Sequence, residues 1–494
     1  MAYTVLWYNS EFHFNKEGEI FMNALFADFY ELTMMQGFFK QNRQNEITVF
    51  DMFYRENPDN GSFSVYAGLE QFIDYLENLK FTSRDINYLR QQGIFSEDFL
   101  AYLSTFKFKG TVFSVPEGSV IFPGTPIVKV IANIMEAHLI EGALLNITGH
   151  QSLIATKTAK IVAVANNKPV VEFGLRRAQG FSAAHLGARA AIIGGAIGTS
   201  NTLAAHEFGM KPIGTHSHSW VMAHADEITA FREYAKTYPE NCILLVDTYS
   251  TLKSGLPNAI KIFNEFKGYL KNFGIRLDSG DIAYTSKIAR KLLDEAGFSN
   301  AKIVVSNDLD ENIIRDLNIQ VACIDMYGVG TKLITSSTRA YFGNVYKMAA
   351  KQIPQGLVPV IKLSDSSEKI NNPGNKTFYR IYDQKGFANA DLITLEEEAI
   401  DQSRDLTLFD PKEPWKKKTF KANEYTLRQM LTKVYEGRRL YQKRNTLEIA
   451  QYAKKERASL WPEMHRLINP HIYHVNLSPN LYELKNRLLD NSSI

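Results

Sequence analysis

Along the chain, the apolar positions change rhythm twice. Residues 21–40, FMNALFADFYELTMMQGFFK, carry them at helical spacing. TVFDMFYRE is strand-like and runs into Asn57-Pro58-Asp59-Asn60-Gly61, a turn by composition. FSVYAGLEQFIDYLENL reads as a strand entering a helix, and two short helices follow up to Phe106. A β-rich run, TVFSVPEGSVIFPGTPIVKVIA, lies between Lys109 and Ala132, punctuated by Gly118, Pro123, Gly124 and Pro126. A long helical region from Met135 to about Ala165 closes the block. The pattern predicts a mixed α+β domain over residues 1–165.

From Lys168 short apolar runs recur between helical stretches: PVVEFG, AIIGG, KPIGT, CILLVDT, GIRLDSG, KIVVSND and CIDMYGVG, with VYKMAA as a candidate eighth. Strand and helix alternating at roughly 20–35 residues is the signature of βα units on a parallel sheet. Seven or eight units favour an irregular (β/α) barrel over an open sheet, so an α/β fold is predicted over 166–350. Beyond that the rhythm stops. VPVIKLS and TFYRIYD look β-rich, and the remainder, ending in LSPNLYELKNRLL, looks mostly helical, which makes 351–494 a C-terminal extension.

Composition narrows the class. A chain of 494 residues, 45% hydrophobic, is long enough for two or three domains with real cores. A net charge of +3 singles out neither nucleic acid nor a membrane surface as a partner. Between Lys412 and Arg457 there are 14 Lys/Arg against 5 Asp/Glu, a run that a solvated helical face explains without a nucleic-acid motif. The two cysteines, Cys242 and Cys323, sit inside apolar runs and read as reduced, buried thiols. MAYTVLWYNSEFHF lacks the layout of a secretory signal, and the apolar stretch around Ala188–Ala196 is too short to span a bilayer. A soluble, cytoplasmic protein is expected.

Candidate chemistry gathers at the carboxyl ends of the apolar runs: Glu172 and Arg176, His218, Asp247, Arg276 and Asp278, Asn307 and Asp308, Gly328 and Gly330. In a barrel these ends share one mouth. Helix N-capping accounts for Asp281 and Asp310, but arginine and histidine have no such preference. His216 and His218, two apart, would face one way on an extended segment and match a His-x-His metal site. An amidohydrolase-type metal enzyme is therefore the alternative, although no further histidine follows His224 before His465. Arg176, Arg177 and Arg276 suit phosphate or carboxylate oxygens. Asp278 and its neighbours could orient Mg²⁺ or ribose hydroxyls. YGVGTKLITSS offers Gly328, Gly330 and Thr331 as a phosphate-binding turn opening a helix. The residues alone reach phosphoryl or phosphoribosyl chemistry.

These motifs, with ADFYELTM, TVFDMFYREN, YAGLEQFIDYL, EFGLRRAQG, GTHSHSW, LLVDTYSTLKSGLPNA, IRLDSGD, SND, YGVGT and VYKM in order, closely resemble the long form of the nicotinate phosphoribosyltransferase family. PEGSVIFPGTPIVKV and the helix after it also resemble the N-terminal domain of quinolinate phosphoribosyltransferase. The resemblance implies transfer of phosphoribose from 5-phosphoribosyl 1-pyrophosphate to nicotinate in NAD salvage, with Mg²⁺, and ATP hydrolysis coupled through a phosphohistidine at His218. It implies that Phe173 and Tyr30 sandwich the pyridine, Tyr30 coming from the partner in a homodimer. Arg276 would lie near the substrate carboxylate, and Arg176, Arg55, Asn307 and Lys347 near phosphate. Thr215 and Ser219, on either side of the histidine, would bind substrate. Asp278 acts with His218 and Arg276 in catalysis, and Asp278 and Asp247 are the candidate Mg²⁺ ligands. His216 stands where the family accepts other residues and is expected to be dispensable. Ser200 occupies the place where a nicotinamide-using relative carries an aspartate; a carboxylate there would repel nicotinate and a serine would not.

Overall fold

The computed structural model describes residues 23–363, 370–411 and 413–491. The MAYTVLWYNSEFHF segment, the first two residues of the 21–40 helix, and Lys412 at the head of the basic run lie outside the described residues. The helix itself spans Phe29–Lys40.

Five strands form the parallel sheet predicted for the centre of the chain: Val170–Glu172, Asn241–Leu245, Asn272–Leu277, Lys302–Val305 and Met326–Val329. Val170–Glu172 lies beside Met326–Val329, and the order then runs back through the strands at 302, 272 and 241. On its other side Glu172 bridges Thr199, and Thr199 bridges Pro212, both parallel. Seven positions thus follow one another in register, but no backbone ladder joins Pro212 to Asn241–Leu245. The arrangement is a mixed α/β fold whose parallel sheet has a seam.

Two expected strands are corrected. AIIGG belongs to the helix Phe181–Gly194, which buries Ala188 to Gly194 between the sheet and neighbouring helices. Apolar on nearly every side, it shows no amphipathic stripe and mimics a buried strand. VYKMAA is not an eighth unit. Asn344–Ile353 runs antiparallel to Ile47–Tyr54, with Lys347 opposite Asp51, in a six-stranded antiparallel sheet. That sheet also holds Val128–Asn133, Thr111–Ser114, Gly356–Pro359 and, at one edge, Thr432–Glu436. The first domain is therefore completed by strands from beyond residue 340.

The extension is more β-rich than predicted. Lys376–Asp383, Ala388–Leu395, Tyr425–Gln429 and His474–Leu477 form a four-stranded sheet, and among the described residues of the extension the α-helices are Thr446–Ala458 and Pro479–Asp490. Its basic run is not a solvated helical face. Arg439 reaches Glu70, Asp74 and Glu77 of the helix Leu69–Asn78, Lys443 pairs with Asp74, and Arg428 pairs with Glu456.

The 24-residue helix Glu141–Val164 joins the two large cores. Ala143, Leu144 and Ile147 pack with the antiparallel layer, while Ile154, Ala155 and Ala159 pack under the parallel sheet. Two of its buried hydroxyls are matched by backbone N–H groups: Thr156 Oγ1 accepts from Val65 N, and Ser152 Oγ accepts from Ala67 N. No described helix is long and apolar enough to cross a membrane.

Candidate active site

Strand ends build the site. The Asn241–Leu245 strand delivers Asp247, whose side chain is only 2% exposed. Its Oδ1 accepts from His218 Nε2 at 3.1 Å. Its Oδ2 accepts from the Asp278 backbone N–H at 3.1 Å and from Ser279 Oγ at 2.6 Å. Asp247 therefore ties three segments together and fixes the orientation of the His218 ring. From the next strand, Asp278 Oδ1 accepts from Ser306 Oγ of the strand end beyond.

Arg276 points into the same mouth. Its Nη1 donates to Thr215 Oγ1 and its Nη2 to the His216 carbonyl at 3.0 Å. Its Nε is buried without a partner, as is Thr248 Oγ1, and such orphaned polar atoms are a common sign of a ligand site. Burial pulls the Arg276 guanidinium below its ordinary range, against the pull of Asp278 and Asp247, and Arg176 adds a further positive charge nearby. Arg176 and Arg177 stand exposed on the turn Leu175–Arg177.

Phe173 is held by a different set. Its N–H donates to Val329 O at 2.9 Å, and Glu172 is fully buried beneath it. Glu172 accepts from Gly174 N and from Thr199 Oγ1. Burial raises its carboxyl above the usual range, partly offset by those two donors. A Cβ at Gly328 would fall 2.5 Å from Phe173 Cδ2 and Cε2, so residue 328 must be glycine for the ring to lie where it does. The turn predicted to cradle phosphate thus has a second reason for its first glycine. Gly330 is followed by a helix of only four residues, Thr331–Ile334. Asn307 has φ 126°, a conformation that costs a non-glycine residue of order 1–3 kcal/mol and often marks a working site.

The expected residues fall into two groups. His218, Thr215, Arg276, Asp278 and Asp247 meet through hydrogen bonds, with Arg176 in electrostatic reach. Ser219 bonds Ser217 Oγ at 2.6 Å, and Ser200 follows Thr199 with its N–H on Glu172 O. Tyr30, Arg55 and Lys347 are carried instead by the antiparallel layer. Tyr30 is half exposed; burial and then Glu141, Glu31 and Asp28 push its hydroxyl up to about 12. Lys347 Nζ donates to Tyr346 O. Asp281 and Asp310 cap their helices. Sequence reasoning missed Ser279, Ser306 and Thr199: Ser279 adjoins Asp278 and Ser306 lies two residues before Asp308, but Thr199 has no acid beside it in the sequence.

Family models match almost the whole chain. The nicotinate phosphoribosyltransferase N-terminal domain matches residues 25–149, the family model 169–391 and the C-terminal domain 375–485. Nicotinate phosphoribosyltransferase of Bacillus subtilis (strain 168) is 42% identical over 464 residues, 94% of each chain. The chain belongs to the nicotinate phosphoribosyltransferase family. A Caenorhabditis elegans nicotinate phosphoribosyltransferase is 32% identical over 550 aligned positions, 98% of this chain and 96% of that one. The crystal structure of human nicotinic acid phosphoribosyltransferase superposes with a TM-score of 0.81 at 25% identity, covering 94% of this chain and 99% of that one. A Pyrococcus furiosus nicotinate-nucleotide pyrophosphorylase, at 21% identity and a TM-score of 0.68, shares the fold.

Family membership displaces the metal-hydrolase alternative, and the histidines agree. His216 Nε2 accepts from Leu245 N while His218 Nε2 donates to Asp247, so the pair does not converge on one point. Among the described residues no three His, Cys, Asp or Glu side chains are grouped to hold a metal ion. Asp247 has both oxygens engaged by protein donors, leaving Asp278 the better placed of the two carboxylates for Mg²⁺ arriving on a phosphate, which needs only one or two protein oxygens.

Proposed function

We propose that this chain joins nicotinate to 5-phosphoribosyl 1-pyrophosphate, giving nicotinate mononucleotide and pyrophosphate, and that ATP drives the reaction by phosphorylating His218. The full-length likeness to nicotinate phosphoribosyltransferases supports the transfer. The observation that carries the coupling is the His218–Asp247 contact beside Arg276 and Asp278.

With Nε2–H donated to Asp247, Nδ1 is the nucleophilic nitrogen of His218. Nδ1 attacks the γ-phosphorus, the bond to the β–γ bridging oxygen breaks and ADP departs. Asp247 stabilises the positive charge that develops on the ring. In the transfer step the pyridine nitrogen of nicotinate bonds C1 of the ribose as the C1–O bond to pyrophosphate breaks. Arg276 and Arg176 offer cations to the carboxylate and the departing phosphates, and Phe173 offers a face for the pyridine. Mg²⁺ held at Asp278 with the pyrophosphate would neutralise charge on the leaving oxygen. Hydrolysis of the phosphohistidine releases inorganic phosphate and pulls the reversible transfer toward product. Tyr30, exposed on the antiparallel layer, is read as completing the pocket of a second copy in a homodimer, and Ser200 as admitting the acid rather than the amide.

The test is nicotinate mononucleotide and pyrophosphate formation with and without ATP, in wild type and His218→Ala. Product that rises with ATP only in wild type is the expected result. ATP stimulation that survives in His218→Ala removes the phosphohistidine, and activity on nicotinamide but not nicotinate removes the Ser200 argument.

A further inference from the structure

We propose that His216 is a positioning residue of the reaction: its neutral ring closes the seam in the parallel sheet and sets the register in which His218 meets Asp247. The phosphoryl role of His218 that this serves rests on the function proposed above.

The seam lies between Pro212 and Asn241–Leu245, where no strand-to-strand bond forms. Alternate N–H groups of an inner strand point to opposite neighbours. Val246 N donates to Arg276 O on the paired side, while Leu245 N faces the seam and would lack a strand partner. It donates to His216 Nε2 at 3.2 Å. The side chain supplies the acceptor that a neighbouring carbonyl provides elsewhere in the sheet.

The spacing makes this a ladder. His216 meets Leu245 and His218 meets Asp247, each pair 29 residues apart. Ser217 between them is extended, φ −101° and ψ 173°, so the two rings leave the backbone on one side. One rung fixes the other, because a shift of the first ring carries the second with it. Arg276 braces the same point through the His216 carbonyl.

The contacts also fix the tautomer. Since Nε2 accepts, the proton sits on Nδ1, which donates to Ser217 O at 3.3 Å. The ring is 7% exposed and packs edge-on to Tyr234 at 4.6 Å between centroids. Burial, with smaller contributions from Arg276 and His218, lowers its pKa to about 4, which keeps the acceptor available at neutral pH. The expectation that His216 is dispensable overlooked this buried bond.

The experiment follows label from γ-phosphate-labelled ATP onto the full-length protein in wild type, His216→Leu and His216→Gln. Leucine keeps bulk without an acceptor; glutamine returns an amide oxygen near the place of Nε2. Loss of the bond should slow labelling about tenfold in His216→Leu, with the KM for ATP changed less than about twofold, and His216→Gln should recover most of that loss. Equal loss in both variants, or loss in neither, overturns the proposal. Wild type that takes no label at His218 removes the phosphoryl reading alone. The seam is then judged by NMR of isotope-labelled imidazole nitrogens, with the His216 signals assigned by their absence in His216→Gln. A protonated Nδ1 and a bare Nε2 are expected, and a protonated Nε2 overturns the proposal.

Discussion

Gly328→Ala isolates the placement of Phe173. The new Cβ would stand 2.5 Å from two ring carbons, where carbon atoms ordinarily rest about 3.5–4.0 Å apart, so the ring must retreat by about 1 Å or more. The other contact, Ser306 Cβ at 3.4 Å, is tolerable. Phe173 is only partly buried and can swing toward the mouth, which keeps the cost to the fold near the lower end of the roughly 1–3 kcal/mol of an overpacked site. Binding has no such escape. An aromatic stack worth about 0.5–1.5 kcal/mol predicts a KM for nicotinate raised roughly two- to twelvefold. The KM for phosphoribosyl pyrophosphate should rise less, because only Arg176 and the 328–331 turn adjoin the ring, while Arg55, Asn307 and Lys347 lie on other segments. The assay is the initial rate of pyrophosphate release with nicotinate varied at saturating second substrate, alongside a thermal melt. An unchanged nicotinate KM, or both KM values rising equally, would refute the argument that residue 328 acts through the ring.

Further outcomes follow from the same geometry. Asp247→Asn removes the charge that orients His218 and should slow labelling of the histidine about 10²-fold while leaving the KM for nicotinate within about twofold; undiminished labelling would show the pair to be incidental. For pH, His216 has its folded pKa lowered from 6.5 to about 4, so its contribution to stability is present above pH 6.5 and is lost as pH falls toward 4. The loss approaches about 3 kcal/mol, seen as a urea midpoint that drops over this window less steeply in His216→Gln than in wild type; parallel profiles would contradict it. Arg439→Ala strands Glu70, 1% exposed and already raised by burial and by Glu117, and should cost about 3–5 kcal/mol in urea unfolding. A loss below about 1 kcal/mol would mean that the basic run does not anchor the extension.

What the sequence revealed was local. Asp278, Arg276 and His218 stood out because a polar residue directly after an apolar run has few structural excuses. Phe173 and Tyr30, by contrast, became candidates only through the family resemblance, since aromatics usually belong to a core. The second half of the Phe181–Gly194 helix was misread because the unbroken burial of Gly187–Gly194 erases the period that separates helix from strand. VYKMAA was misplaced because its partner strand, Ile47–Tyr54, is about 300 residues away (Lys347 pairs with Asp51), and no local pattern records such a pairing. The same holds for Arg439, whose acidic partners lie on Leu69–Asn78. The His216 bond left no mark in the sequence because its partner is a backbone N–H, and backbone has no letter there.

The antiparallel sheet that frames one side of the molecule has its edge at Thr111–Ser114 covered by Thr432–Glu436, and Thr432 and Ser114 are 318 residues apart. At about 5–20 residues per second, a ribosome would hold that edge open for roughly 20–60 s before its cover emerges. An open edge invites pairing with any passing strand. The amino-terminal half of this enzyme is therefore a poor candidate for expression alone, and a premature stop near residue 400 should yield aggregate rather than a smaller enzyme.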